Sequence, residues 1–169
     1  MRFLTVPFAK SFSRQNFYCD KPGLDEYLKT QVSQDIKKRL AACFVLLDES
    51  KKVIIGYYTL SNGSIPYSDV PENLRKKYPK SYEFIPVTLL GRLAIDAKYK
   101  GQGLGAKILI DALKRSLMVA ESDLGSVAVI VDPIDKDAER YYEHFGFVKI
   151  PDSGKMFLDM NTIKQLGIG

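Results

Sequence analysis

The run Arg92-Leu93-Ala94-Ile95-Asp96-Ala97-Lys98-Tyr99-Lys100-Gly101-Gln102-Gly103-Leu104-Gly105-Ala106 reads as a strand that ends in a glycine-rich loop and passes straight into a helix. Beyond it Ile108, Leu109, Ala112, Leu113 and Leu117 recur on one helical face. Such a junction gathers unpaired backbone N–H groups and the positive end of a helix dipole. It suits a phosphate or pyrophosphate, and glycines let the anion reach the backbone. Two commoner phosphate loops are excluded by spacing. A Walker A loop needs Gly-Lys-Ser/Thr, which this chain lacks, and Gly101, Gly103 and Gly105 do not fit Gly-x-Gly-x-x-Gly.

Working outward, residues 3–8 read as a short strand. Leu24, Tyr27, Leu28, Val32, Ile36 and Leu40 follow helical spacing, with Asp25 and Glu26 in the first turn. Residues 42–47 and 53–60 form a hairpin around the turn at Asp48-Glu49-Ser50-Lys51. Residues 61–85, with Pro66, Pro71 and Pro79, read as loop around a helical patch at 72–77. A long apolar strand follows over 87–95, then the glycine loop and a helix to about residue 120. Ser126-Val127-Ala128-Val129-Ile130-Val131 reads as a buried parallel strand. A helix over 135–144 and closing strands at 147–150 and 156–160 complete the chain. The order predicts an α/β (α+β) fold in which the loop-bearing strand and strand 126–131 are parallel neighbours.

At 169 residues the chain suits one domain over 1–169, and its 46% apolar and 27% charged composition is ordinary for a globular protein. No apolar run approaches the roughly 20 residues that cross a bilayer. The N-terminus does not read as a signal peptide, so a cytoplasmic location is expected, without membrane association. Cys19 and Cys43 make neither a disulfide framework nor a metal cluster and are expected buried. With His144 the only histidine, no metal site is expected. Of the formal charge of +5, all lies in residues 1–85, which hold 14 basic against 9 acidic residues. Lys37-Lys38-Arg39 and Arg75-Lys76-Lys77 with Lys80 are either solvated faces or a footprint for an anionic partner such as RNA.

Lys100-x-x-Gly103-x-Gly105 resembles the Gln/Arg-x-x-Gly-x-Gly/Ala signature of the GNAT acyl-CoA N-acyltransferases. Leu93-Ala94-Ile95 and Asp135-x-x-Ala138-x-x-x-Tyr142-x-x-x-Gly146-Phe147 match other landmarks of that family, and the resemblance spans essentially the whole chain. It implies a mixed, mostly antiparallel sheet of six or seven strands with a parallel central pair and flanking helices. It implies acetyl-CoA (coenzyme A) as donor. The backbone of Leu93, Ala94 and Ile95 would pair with pantetheine, and the N–H groups of Gly101, Gln102, Gly103, Leu104, Gly105 and Ala106 would hold the pyrophosphate. Lys100 would add charge, and Asp135 would contact the pantetheine arm. Tyr142 falls where the family keeps a general acid for the departing thiolate; Tyr141 packs on another helical face.

The strand over 87–95 carries no glutamate to serve as base. That favours an acceptor of low pKa, an α-amino group rather than a lysine. Phe17-Tyr18-Cys19-Asp20-Lys21-Pro22-Gly23-Leu24-Asp25-Glu26-Tyr27-Leu28, Gly56-Tyr57-Tyr58-Thr59-Leu60 and Leu90-Gly91-Arg92-Leu93-Ala94-Ile95-Asp96 resemble the GNAT toxins of toxin–antitoxin pairs. That branch acetylates the amino acid on charged tRNA and so blocks translation. The resemblance implies charged tRNA and an antitoxin as partners and a homodimer. Lys37, Lys38, Arg39 and Arg92 would face the RNA. Acetylation of a small-molecule or peptide amine, or a catalytically silent acyl-CoA-binding module, stand as alternatives.

Overall fold

A computed structural model describes residues 2–168. Seven strands hydrogen-bond in the order β1-β2-β3-β4-β5-β7-β6: β1 (Val6–Pro7), β2 (Ala42–Leu47), β3 (Ile54–Pro66), β4 (Phe84–Ile95), β5 (Ala128–Val131), β6 (Val148–Lys149) and β7 (Met156–Asp159). The helices are α1 (Pro22–Glu26), α2 (Val32–Lys37), α3 (Glu72–Arg75), α4 (Leu104–Ser122), α5 (Lys136–His144) and α6 (Met160–Gln165). The chain packs as two units, Met1–Ser61 with Leu90–Ala112, and Asn62–Leu89 with Leu113–Gly169.

In the first unit β1 and β2 pair antiparallel, as do β2 and β3 through Cys43↔Thr59 and Val45↔Tyr57. Phe17, Leu28, Val32, Val45, Ile54 and Tyr57 form its core, each at most 2% exposed. The expected helix over the Leu24–Leu40 spacing is interrupted by a π-helical turn, Tyr27–Gln31. The extra residue keeps Tyr27, Leu28 and Val32 inside, whereas Leu40 lies beyond the helix at 61% exposure. Asp20 has φ 69°, the left-handed conformation that aspartate tolerates better than most residues. There it accepts a hydrogen bond from the Tyr18 hydroxyl at 2.8 Å, while Asp25 takes the Cys19 N–H at 2.8 Å and ties the chain into α1. Asp111 of α4 is buried and accepts from Leu4 N–H (2.6 Å), Thr5 Oγ1 (2.5 Å) and Tyr58 Oη (2.7 Å), which anchors the N-terminal strand. That strand is shorter than the six residues read from sequence, as its pairing spans only Val6 and Pro7. Both cysteines are free and buried.

In the second unit β4 and β5 run parallel at Thr88↔Val129 and Leu89↔Ile130, as the order of elements predicts. β5 pairs antiparallel with β7, and β7 with β6. Ile85, Val87, Ala128, Ile130 and Phe157 fill the core. β3 runs on to Pro66, where the sequence reading, with prolines at 66, 71 and 79, expects a loop from residue 61. Gly63 is a packing glycine: a Cβ there would stand 2.9 Å from the Leu89 side chain. The sequence reading also lacks α6. Its N-cap is Asp159, whose carboxylate accepts the Thr162 N–H at 3.3 Å. Among the described residues no helix is long and apolar enough to cross a membrane.

Candidate active site

The strand-to-helix junction belongs to the first unit. As β4 ends, Asp96 N–H donates to Ile55 O at 2.8 Å, and its carboxylate caps a single 3-10 turn, Ala97–Tyr99, by accepting Lys98 N–H at 2.9 Å. Asp96 is therefore a cap. Gly56 lets β3 approach this strand end: a Cβ there would meet Ile95 Cδ1 at 2.6 Å. Leu93 is half-buried, and Ala94 and Ile95 are buried.

Beyond Lys100 the backbone turns left-handed twice, at Gly101 (φ 81°) and Gly103 (φ 73°). A Cβ at either would meet nothing within 4 Å, so conformation, not crowding by this chain, calls for glycine. The first bond joining loop to α4 runs from Lys107 N–H to Gly103 O at 3.2 Å. Helix geometry thus leaves the N–H groups of Leu104, Gly105 and Ala106 without intrahelical acceptors. The exposed Gly101, Gln102 and Gly103 lie in front of them. Unpaired N–H groups at a helix N-terminus favour an anion. The Lys100 ammonium donates to Cys19 O at 2.9 Å, so it ties this loop to the turn before α1.

Tyr142 and Asp135 belong to the second unit. Asp135 is the N-cap of α5, and its carboxylate accepts Ala138 N–H at 2.8 Å. The Tyr142 ring packs edge-on to Phe147 at 5.3 Å and to Tyr141 at 5.7 Å. Burial, and secondarily the neighbouring Tyr141, hold the Tyr142 phenol well above the ordinary tyrosine pKa, so it keeps its proton at neutral pH. The Tyr141 hydroxyl is sealed from solvent without a hydrogen-bond partner among the described residues, and burial pushes it up to about 12. His144 is exposed, its ring against Phe145.

The basic candidates also separate. The Arg92 guanidinium lies 3.5 Å from the centre of the Tyr27 ring, a cation–π contact. Tyr27 is in turn fixed by its hydroxyl on Asp35 (2.9 Å) and by stacking on Tyr57. Sequence reasoning missed this platform, because the π-helical turn that carries Tyr27 has no signature in residue type. Lys37, Lys38 and Arg39 are exposed at the end of α2, where cations complement the helix dipole. Arg75, by contrast, is spent on its own unit, donating to Ser68 O and Val70 O.

The acetyltransferase (GNAT) domain model matches residues 39–149, and the chain belongs to this family. It is 34% identical over 132 residues to a tRNA-acetylating toxin of Mycobacterium tuberculosis, covering 78% of this chain and 76% of that one. Among solved structures, AtaT complexed with acetyl-methionyl-tRNAfMet superposes with a TM-score of 0.88 at 23% identity, covering 98% of this chain and 99% of that one. AtaTR bound with AcCoA superposes with a TM-score of 0.85 at 23% identity over 96% of both chains. At these identities the structural likeness establishes the GNAT fold.

Proposed function

We propose that this chain transfers acetyl from acetyl-CoA to the α-amino group of aminoacyl-tRNA and so acts as the toxin of a toxin–antitoxin pair. The observation that carries the reading is the 34% identity to the mycobacterial tRNA-acetylating toxin over 78% of this chain. In this reading the N–H groups of residues 101–106 hold the coenzyme's pyrophosphate, and the backbone of Leu93, Ala94 and Ile95 pairs with pantetheine. Lys100 and Asp135 fix the two segments they cap or tie. An amine adds to the thioester carbonyl: the C–N bond forms, the C–S bond breaks, and Tyr142 gives its proton to the departing sulfur. The amine's own proton leaves to water. An α-amino group titrates near 8, so enough is neutral at physiological pH without a carboxylate base. Arg92, Lys37, Lys38 and Arg39 serve the RNA through phosphate contacts, which give affinity without reading sequence. A cytoplasmic homodimer held in check by an antitoxin completes the proposal.

The test is transfer from labelled acetyl-CoA to a pool of charged tRNA, with deacylated tRNA as control. Label is expected only on charged tRNA and is lost when the ester is hydrolysed. Label absent from charged tRNA but present on free amines or peptides overturns the acceptor assignment and leaves the family activity standing.

A further inference from the structure

The cations of the first unit are held in two different ways. Lys37, Lys38 and Arg39 are exposed at the end of α2. Arg92 is half-buried, and its guanidinium carbon stands 3.5 Å from the centre of the Tyr27 ring. So short a distance is that of a stacked guanidinium, whose N–H donors point outward in its own plane. Among the described residues, no oxygen of the protein accepts from those donors and no carboxylate pairs with the charge. Tyr27 is 3% exposed and is fixed in turn. Its hydroxyl donates to Asp35 at 2.9 Å, and its ring stacks on Tyr57, with centroids 6.3 Å apart and planes 15° from parallel. The Tyr57 hydroxyl donates to Leu24 O at 2.7 Å, which pins the bottom of the stack. Asp35 is thus taken by a phenol, and the guanidinium above that phenol's ring is left with its donors open.

We propose that Tyr27 and Asp35 are positioning residues, which hold Arg92 as a fixed fork for one phosphate of the acceptor substrate. A mobile arginine gives up its rotamers when it makes a two-donor contact, whereas a stacked one has given them up on folding. A phosphate fits the fork because two of its oxygens can accept from parallel N–H groups. Arg92 directly precedes Leu93, whose backbone pairs with pantetheine in the function proposed above. The phosphate it takes therefore lies beside the reacting end of the acceptor. In charged tRNA that is the last phosphodiester, which joins the nucleotide bearing the amino acid to the rest of the chain. The inference rests on that reading for the identity of the acceptor. It divides the labour among the cations: those at the end of α2 attract the RNA as a whole, and Arg92 sets the amine in register with the thioester.

The test is binding of two uncharged acceptor-stem hairpins that end in the single-stranded 3′ end of tRNA. One keeps its last phosphodiester, and the other carries a neutral methylphosphonate at that linkage. The wild type is expected to bind the first roughly tenfold more tightly. Arg92→Gln is expected to lose the preference. Tyr27→Leu, which removes the stack, is expected to lose most of it. Tyr27→Phe and Asp35→Ala, which break only the bond between phenol and carboxylate, are expected to lower it by roughly two- to threefold. These two serve if Tyr27→Leu does not fold. A merely structural role would weaken both hairpins alike and leave their ratio unchanged. A wild type that binds neither hairpin or does not discriminate, or a preference intact in Arg92→Gln, overturns the contact. A preference intact in every folded Tyr27 and Asp35 variant overturns the positioning role. Hairpin binding involves no acetyl transfer. Equal binding by a protein that labels charged tRNA is therefore a failure of this inference alone, and label absent from charged tRNA is a failure of the acceptor assignment.

Discussion

Replacing Tyr142 by phenylalanine removes one oxygen whose loss leaves no protein group unsatisfied, since the hydroxyl makes no hydrogen bond among the described residues. The ring contacts with Phe147 and Tyr141, at 5.3 and 5.7 Å, survive the change. Stability should therefore move by no more than about 0.5 kcal/mol. Acetyl-CoA affinity should hold, because the proposed pyrophosphate site is backbone of another segment. Turnover should fall by roughly 10²–10⁴, the range for a lost general acid, equivalent to about 3–5 kcal/mol in the barrier. Tyr141→Phe is the internal control. It deletes a sealed, unpartnered hydroxyl and should leave turnover unchanged while raising stability by about 1 kcal/mol. The assays are steady-state acetyl transfer, calorimetric titration with acetyl-CoA, and thermal unfolding of both variants. In the wild type the raised phenol pKa also means that no loss of rate from Tyr142 ionisation should occur below about pH 10. Full turnover in Tyr142→Phe, or a loss that appears instead in Tyr141→Phe, would refute the assignment.

Asp111→Ala leaves Leu4 N–H, Thr5 Oγ1 and Tyr58 Oη without their buried acceptor, and should cost about 3–5 kcal/mol, or roughly 10 °C in Tm. A drop of under 1 kcal/mol in denaturant titration would show that the N-terminal strand is held by other contacts. Burial pushes Cys19 up to about 11 and Cys43 up to about 12, so both are thiols at pH 8 and should resist a disulfide reagent until unfolding exposes them. Because both folded values are raised, their stabilising contribution is complete below the unfolded thiol pKa near 8.5 and is lost as pH climbs through 11–12. Charge reversal of Lys37, Lys38 and Arg39 should reduce the salt slope of tRNA binding by about 2–3, measured by titration in graded salt. An unchanged slope removes the end of α2 from the RNA footprint.

Much of this protein was legible in residue order alone. Strand and helix periods are local properties, so the hairpin of β2 and β3, the strand–loop–helix of β4 and α4, and the parallel partner β5 could all be read directly. The glycines of 101–105 stood out in sequence as a loop into a helix, and the fold places Gly101 and Gly103 there in left-handed backbone. Other features depend on neighbours far along the chain. Asn62-Gly63-Ser64 has the composition of a loop, yet it is strand, with Leu89 packed on Gly63. The π-helical turn exists to keep Tyr27 and Val32 inside a common core, which the one-dimensional pattern does not encode. Tyr141 and Tyr142 are the same residue type side by side, and only the fold shows that burial raises both phenols and seals the Tyr141 hydroxyl. Arg14 lies in a polar run, and only tertiary structure sets its guanidinium against the Phe8 ring. Sequence determined which backbone could hold an anion, because that follows from local conformation. The choice of which side chains face what was left to the fold, because burial and charge pairing are set by contacts across the chain.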